Sequence, residues 1–260
     1  MPSSRMLRLA APLVALALVL PVAGSVPAAS ASESHPTNAA KIYRWGHASV
    51  KDEFKAPLSR SWRVNKRSLV RNQHGMLTLD STRRSGTVSA TLTGKARQYG
   101  RWEARVRGRQ YGKGGTPFRA VWELAPTKQE HCGARGIVLS DYALGGSTAR
   151  MHLRNLPNAD FTAGKRLRLS RNEFHTYAIE VTRKRISWFV DTRVVRTERR
   201  AAARTGAAYN IRFRLLATKG KHMRQGRMQM DWVRYYSLER PNAKSIQAPQ
   251  TQRKTYAGAC

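Results

Sequence analysis

Short runs of alternating polarity recur along this chain, and they constrain its fold more than any other feature. Within residues 98–107, Trp102, Ala104 and Val106 share one side, while charged residues occupy the other. This period of two is typical of a β-strand with one buried face. Similar runs cover residues 86–93, 148–154, 174–181, 185–191 and 210–218, with turn residues between them. Only residues 198–204 favour a helix, so the pattern predicts an all-β fold, a two-sheet antiparallel β-sandwich.

The two ends of the chain differ in composition from its middle. Arg5 and Arg8 precede an apolar run over residues 9–23, and Ala29-Ser30-Ala31 offers a small-residue cleavage site. This arrangement predicts a secretory signal peptide over residues 1–31, and the apolar run is short for a membrane-spanning helix. We therefore expect a protein that is secreted, extracellular or cell-wall associated, with no transmembrane segment after cleavage. The remaining divisions are a flexible segment 32–44, one domain 45–240 and an irregular tail 241–260.

The chain is strongly basic, with 48 Lys and Arg against 15 Asp and Glu, a formal net charge of +33. Such an excess concentrates polyanions near the surface. For an exported protein these include acidic polysaccharides, wall polymers, acidic lipid surfaces and extracellular DNA. No DNA-binding motif is present, so we expect no specific nucleic-acid recognition. The alternative is that much of this charge only solvates the surface.

Cysteine and metal-ligand patterns add little chemistry. The two cysteines, Cys132 and Cys260, predict one disulfide in an oxidising compartment. No His, Cys, Asp and Glu cluster has metal-ligand spacing, and residues 112–115 read as a hairpin turn rather than a phosphate cradle. We therefore predict a monomer without a cofactor; a calcium ion bound away from such a motif would leave no trace in the sequence.

Several segments together resemble glycoside hydrolase family 16, the laminarinase and β-glucanase family of concanavalin A-like jelly rolls. The similarity lies in the family's motif order, and the matching segments are YGRWEAR at 99–105, FRAVW at 118–122, FHTYAIE at 174–180, ISWFVD at 186–191 and MDWVRYY at 230–236. The resemblance implies two stacked antiparallel sheets with a glycan cleft on one of them.

The resemblance also locates the strand that carries catalysis in the family, where the sequence E-I-D-I-x-E supplies the acids. Here residues 136–142 read GIVLSDY. Gly136 then occupies the nucleophile position and Val138 the assisting acid position, and only Asp141 keeps a carboxyl group, at the acid/base position. A retaining glycosidase needs two carboxyl groups about 5–5.5 Å apart. The departure predicts a degenerate, catalytically inactive relative that binds polysaccharide.

A relocated acid would rescue hydrolysis. Glu123 lies on the strand before residues 136–142 and would supply a second carboxylate if it faces the cleft. Matching Trp122 to the family's cleft tryptophan makes Trp122 a substrate contact and turns Glu123 away, whereas Arg119 shares a face with Glu123. The alternation therefore leaves the orientation of Glu123 open, with a structural ion pair as the other role for its carboxylate.

Two basic stripes predict the chemistry of the cleft. Arg150, His152 and Arg154 alternate with apolar residues, as do Arg212 and Arg214. If both stripes face the cleft, arginine favours carboxylate or sulfate groups on the glycan; otherwise they lie on a solvated face. Three functions remain: an inactive binder of polysaccharide, an active glycoside hydrolase or transglycosylase using Asp141 and a relocated carboxylate, and a basic wall-associated structural protein.

Overall fold

A computed structural model of the protein describes residues 38–128 and 135–255, and nearly all of its regular structure is β-strand. The one α-helix, α1, covers Ala39–Ile42, and 3₁₀ turns cover Arg67–Leu69, Leu169–Arg171 and Ala201–Ala203. The strands are β1 Val50–Asp52, β2 Trp62–Val64, β3 Val70–Gln73, β4 Met76–Ser81, β5 Val88–Arg97, β6 Gly100–Gln110, β7 Thr116–Pro117, β8 Arg119–Pro126, β9 Gly136–Ala143, β10 Thr148–Asn155, β11 Ala159–Arg166, β12 His175–Val181, β13 Ile186–Val190, β14 Arg193–Glu198, β15 Tyr209–Leu216, β16 Met223–Arg224, β17 Gly226–Tyr236 and β18 Gln252–Thr255.

Two large antiparallel sheets form a sandwich, as the alternating pattern predicts. Sheet A has the order β14-β13-β12-β6-β17-β4-β3, with β1 paired to β17. Sheet B has the order β18-β11-β10-β9-β8-β15-β5-β2. Strand β9, which the resemblance to glycoside hydrolase family 16 aligns with the catalytic strand, therefore lies inside sheet B between β8 and β10.

The core lies between the sheets and consists of the apolar stripes that the sequence displays. Trp102, Ala104 and Val106 of β6 in sheet A and Met151 and Leu153 of β10 in sheet B belong to one continuous cluster of buried side chains. The predicted helix at residues 198–204 is wrong. Glu198 ends β14, and only Ala201–Ala203 form a single 3₁₀ turn, because three consecutive alanines lack the length for a stable helix.

A second, smaller core covers the outer face of sheet A. Ala39, Tyr43 and Trp45 pack there with Phe189 and Tyr236. The prediction that residues 32–44 are flexible is therefore wrong for residues 38–44. These residues form α1 and bury apolar side chains against a face that the sequence alone presents as charged.

The segment that covers the outer face of sheet A also buries the carboxylate of Glu103. Glu103 is fully buried on β6, and its Oε1 accepts hydrogen bonds from the backbone amides of Ala39 at 2.6 Å and Ala40 at 3.2 Å. Burial raises the pKa of Glu103 from its ordinary 4.5 to about 7, although these amides and Arg234 oppose the shift. The proton on Glu103 is therefore retained in the folded chain over a pH range where the unfolded chain releases it.

Replacement of this carboxylate is expected to change how stability depends on pH. As pH rises from about 4.5 to about 7 the wild type loses up to roughly 3 kcal/mol, since each pKa unit corresponds to about 1.4 kcal/mol. Glu103→Gln keeps an amide oxygen for Ala39 and Ala40 but does not titrate, so its stability lacks this contribution. Urea unfolding of both proteins across this range measures the difference; parallel curves would contradict the assignment.

The C-terminal segment is also more ordered than the sequence predicts. Residues 241–251 contain no helix or strand, but β18 adds an edge strand to sheet B by pairing with β11. Thr251 is fixed just before β18, because its hydroxyl donates to the buried Glu198 at 2.6 Å while Arg200 binds the same carboxylate. The prediction of an irregular tail is therefore wrong for residues 252–255.

Some predictions fall outside the described residues. These are the signal peptide over residues 1–31, residues 32–37 of the N-terminal segment, and the disulfide between Cys132 and Cys260. Within residues 38–128 and 135–255, no helix has both the length and the apolar character needed to cross a membrane.

Candidate functional site

The site begins with a β-bulge in β9. Val138 pairs with Glu123 of β8 and with His152 of β10, whereas Asp141 pairs with Val121 and with Arg150. Two residues of β9 therefore lie opposite one residue of each neighbour, as in a β-bulge. Ile137 and Leu139 point into the core, and the bulge brings Val138 and Asp141 to the same outer face.

The bulge is supported from the opposite sheet. Trp188 of β13 donates its indole Nε1 hydrogen to the backbone carbonyl of Val138 at 3.1 Å. A bulge disrupts the strand-to-strand ladder locally, and this bond gives the carbonyl of Val138 a partner inside the core. The strand thus keeps the shape that aims residue 141 outward, while residues 136 and 138 carry no acid.

Asp141 is held by an arginine. Its side chain is 3% exposed, and Arg119 of β8 donates Nε to one carboxylate oxygen at 2.8 Å and Nη2 to the other. Both oxygens therefore already accept charge-assisted hydrogen bonds. In this arrangement Asp141 is an ion-pair partner rather than a proton donor aimed at a glycosidic oxygen.

Glu123 shares the outer face with Asp141. Arg212 donates Nε to its Oε1 at 2.6 Å, and Arg214 donates Nη2 to its Oε2 at 3.0 Å. The structural ion pair is thus the role that Glu123 plays here.

The placement of Trp122 in the cleft is wrong. Trp122 is 0% exposed, belongs to the core and stacks on Phe213 with ring centroids 5.8 Å apart. Successive side chains of a strand point to opposite faces, so a core-facing Trp122 requires an outward Glu123. The sequence pattern FRAVW fixes the strand but leaves open which of its two faces is buried.

Strand β10 presents its basic stripe on the same outer face. Ala149, Met151 and Leu153 are buried in the core, so alternation places Arg150, His152 and Arg154 outward. Arg154 lies 3.8 Å from Asp160 of β11. Burial lowers the pKa of His152, with Asp160 opposing the shift and Arg154 adding to it, so its imidazole is neutral at pH 7 and suited to hydrogen bonding with hydroxyl groups.

A concavity of about 650 Å³, which we call the groove, is lined by the side chains described above on β9, β10 and β11: Asp141, Arg150, His152, Arg154 and Asp160. Its walls come from β8, β9, β10 and β11 and from the last described strand, β18. Residues of the groove that the sequence did not single out include Arg119, Thr148, Thr162, Arg196, Gln252 and Lys254. The sequence could have placed Arg119 on the outer face, because it shares a face of β8 with Glu123. Nothing in the sequence of β18 indicates that it joins a sheet.

The outer face of sheet B has more cations than carboxylates. Asp141, Glu123 and Asp160 are each matched by at least one arginine, whereas exposed Arg150 has no ion pair among the described residues. Burial, together with the nearby charges of Arg150 and Arg214, lowers the pKa of Arg119 from its usual value. An added anion would relieve this mutual repulsion.

The same arrangement restricts the chemistry. A double displacement requires a nucleophilic carboxylate and a proton donor, and Gly136 stands where the resemblance expects the nucleophile. A Cβ there would meet only the carbonyl oxygen of Leu124 at 3.8 Å, so packing does not exclude a side chain. Among residues 38–128 and 135–255, no group of His, Cys, Asp and Glu is arranged to hold a metal ion.

Comparison with known protein families gives a match over part of the chain. Residues 141–234 match the sequence model of glycosyl hydrolases family 16. The match begins at Asp141 and so excludes Gly136 and Val138. No curated protein sequence matches the chain.

Solved structures share the fold at low sequence identity. The endo-β-1,3(4)-glucanase SCLam aligns with a TM-score of 0.62 and 14% identity over 74% of this chain and 91% of its own. The laminarinase from Rhodothermus marinus gives a TM-score of 0.60 and 16% identity, covering 73% and 96%. LamAcat from Zobellia galactanivorans gives 0.57 and 14%, covering 75% and 100%. These similarities show that the chain has the jelly-roll fold of glycoside hydrolase family 16.

Proposed function

Since this chain has the fold of glycoside hydrolase family 16 and matches the family's sequence model over residues 141–234, we propose that it is an exported protein that binds an acidic polysaccharide in the groove without cleaving it. The neighbours of known structure are glucanases and laminarinases, so the fold directs attention to a glycan. The side chains of this particular groove then define which kind of glycan it accepts.

One observation carries the proposal: the carboxylates on the outer face of sheet B are bound by arginines, and further cationic groups remain on that face. Both oxygens of Asp141 are occupied by Arg119, while exposed Arg150 lies beside them on β10. A guanidinium recognises carboxylate and sulfate groups through two parallel hydrogen bonds. Uronate or sulfate groups on a sugar chain therefore fit this face, whereas an uncharged glucan would leave its cations uncompensated.

Titration of the full chain tests the binding. Oligouronates and sulfated oligosaccharides are expected to bind saturably, more weakly at about 0.15 M salt than at low salt but still measurably, because salt mainly screens charges more than about 8 Å apart and leaves the direct contacts between guanidinium and anion. Neutral laminarin oligosaccharides of equal length are the control. Equal affinity for neutral and acidic oligosaccharides, or binding that vanishes at about 0.15 M salt, would contradict a specific acidic ligand.

Absence of turnover is a separate expectation. We expect no release of reducing sugar from laminarin, mixed-linkage glucan, agarose or carrageenan, because Gly136 and Val138 stand where the resembled family has acids and Asp141 is engaged by Arg119. Reducing-end assays over long incubations measure this. Robust hydrolysis by pure protein would overturn the expectation.

Hydrolysis is the second candidate function, and the position of Glu123 favours it. Glu123 and Asp141 project from adjacent strands on one face, because Asp141 pairs with Val121, two residues from Glu123 along β8. If substrate displaced the arginines, these two carboxylates would be the catalytic pair. Loss of any observed activity in both Asp141→Asn and Glu123→Gln would establish this alternative, whereas activity that survives both would point to contamination.

A further inference from the structure

We propose that the acidic chain bound in the groove extends across the whole of sheet B into a second basic pocket at the far edge of the sandwich, so that the site selects a long linear polyanion. We call this second site the edge pocket. The inference rests on the proposed function, which supplies the ligand class, and adds a second anchoring point and a requirement for length.

The edge pocket has a volume of about 1030 Å³ and lies where β2, the edge strand of sheet B, meets β3 of sheet A. Five of its lining residues are cationic, and none carries a carboxylate: Lys55, Arg60, Arg63, Arg67 and Arg71. Leu58 and Trp62 add apolar surface. Polar and cationic groups therefore dominate this lining, which suits a charged ligand, and the smaller apolar part suits the face of a sugar ring.

Hydrogen bonds hold the loop that forms one wall of the pocket. Asn72 donates its side-chain amide hydrogens to the backbone carbonyls of Phe54 and Ala56, at the start of the loop that forms one wall. Asp52 accepts from the backbone amide of Phe54 at 2.9 Å and from the indole of Trp62 at 2.8 Å. The carboxylate of Asp52 is thus engaged in holding the loop and does not line the pocket.

Most of the positive charge in the edge pocket is uncompensated. Arg71 pairs with Asp80 at 2.6 Å. Lys55, Arg60, Arg63 and Arg67 are exposed and form no ion pair within the part of the chain that the structure describes. Four like charges around one concavity raise the local concentration of anions.

The strand register connects the two sites. A single row of cross-strand partners starts at Arg63 on β2 and runs through Arg212, Glu123, Val138 and His152 to Gln252 on β18, with threonines on β5 and β11 completing it. Because neighbouring strands lie about 4.8 Å apart, eight strands span roughly 34 Å. The row therefore gives one extended polymer a direct path between the groove and the edge pocket.

Charge is distributed unevenly along that path. At its centre Val138 is buried, and the charge of Glu123 is compensated by Arg212 and Arg214. Arg150 and Lys254 lie toward the β18 end, and the edge pocket lies at the other. A short acidic oligosaccharide reaches only one end, whereas a long one reaches both, and the second contact is then intramolecular and gains affinity through effective concentration.

Chain-length series of oligouronates and of sulfated oligosaccharides test the inference by calorimetry on the full chain. For wild type, affinity is expected to rise steeply at the length that spans sheet B. Arg60→Ala with Arg67→Ala is expected to lower affinity for spanning oligomers more than tenfold and to leave di- and trisaccharides that bind the groove unchanged. Arg83→Ala with Arg84→Ala removes equal charge from an exposed turn and is expected to change neither.

Each other outcome overturns the inference in a recognisable way. Equal losses for short and long oligomers would mean diffuse attraction to the whole surface. No loss at any length, with wild-type binding intact, would leave the proposed function standing and remove the edge pocket from it. No binding of any acidic oligomer by wild type would reject the proposed function and this inference together.

Discussion

Replacement of Arg150 and Lys254 by alanine is expected to lower the affinity for an acidic oligosaccharide more than tenfold. Both side chains are exposed in the groove and form no ion pair among the described residues, so the substitutions leave no partner buried and uncompensated. Hydrogen bonds to charged groups contribute about 1.5–3 kcal/mol each, and exposure reduces that figure. Calorimetric titration of the double variant against wild type measures the loss.

The matched control separates the groove from the net charge of the chain. Arg83→Ala with Arg84→Ala also removes two positive charges, on the exposed turn after β4, and is expected to bind almost as well as wild type. If both double variants lose affinity equally, the ligand is held by diffuse electrostatics. A basic wall-associated protein without a specific site would then be the better description.

Glu180→Gln is expected to lower the free energy of unfolding by about 3–5 kcal/mol, the cost of breaking a buried ion pair. Glu180 is 0% exposed and accepts from Arg101 Nε at 2.6 Å, from Arg185 at 2.9 Å and from Asn242 at 2.8 Å. Arg101 itself is 3% exposed. The substitution preserves shape but leaves this guanidinium buried without its counter-charge.

Glu53→Gln is the control for Glu180→Gln. Glu53 also binds an arginine, Arg234 at 2.9 Å, but the two side chains are 32% and 26% exposed. The expected loss there is about 1 kcal/mol or less. Urea unfolding measures both variants; losses of equal size would show that burial does not determine the strength of these pairs.

The sequence predicts the strands well because each bears a period-two pattern. Arg150 and Arg212 were both identified as outward residues, since their strands alternate cleanly between charged and core residues. The same rule fails for β8, where Ala120 to Ala125 are all buried. The sequence does place the charged Arg119 and Glu123 on the face opposite Trp122, but the match of Trp122 to the resembled family's cleft tryptophan pointed the other way.

Long-range contacts account for the other errors. Residues 38–44 look polar enough to be flexible, yet they cover the outer face of sheet A and bury Glu103 there. The charges of β6 appear solvated in the sequence because nothing local indicates that a segment some 60 residues away covers them. The sequence of β18 likewise gives no indication of a strand, since its four residues are all exposed and show no apolar periodicity.

The contribution of β18 to the groove has a consequence for how the protein becomes competent to bind. Synthesis proceeds from the N-terminus, and β18 is the last described strand to emerge. A nascent chain that has completed β17 already holds the sandwich core but lacks Gln252 and Lys254 at the border of the groove. Proteolytic trimming after residue 251 would reproduce that incomplete state, so under the proposed function the loss of this segment would weaken ligand binding while the domain stays folded.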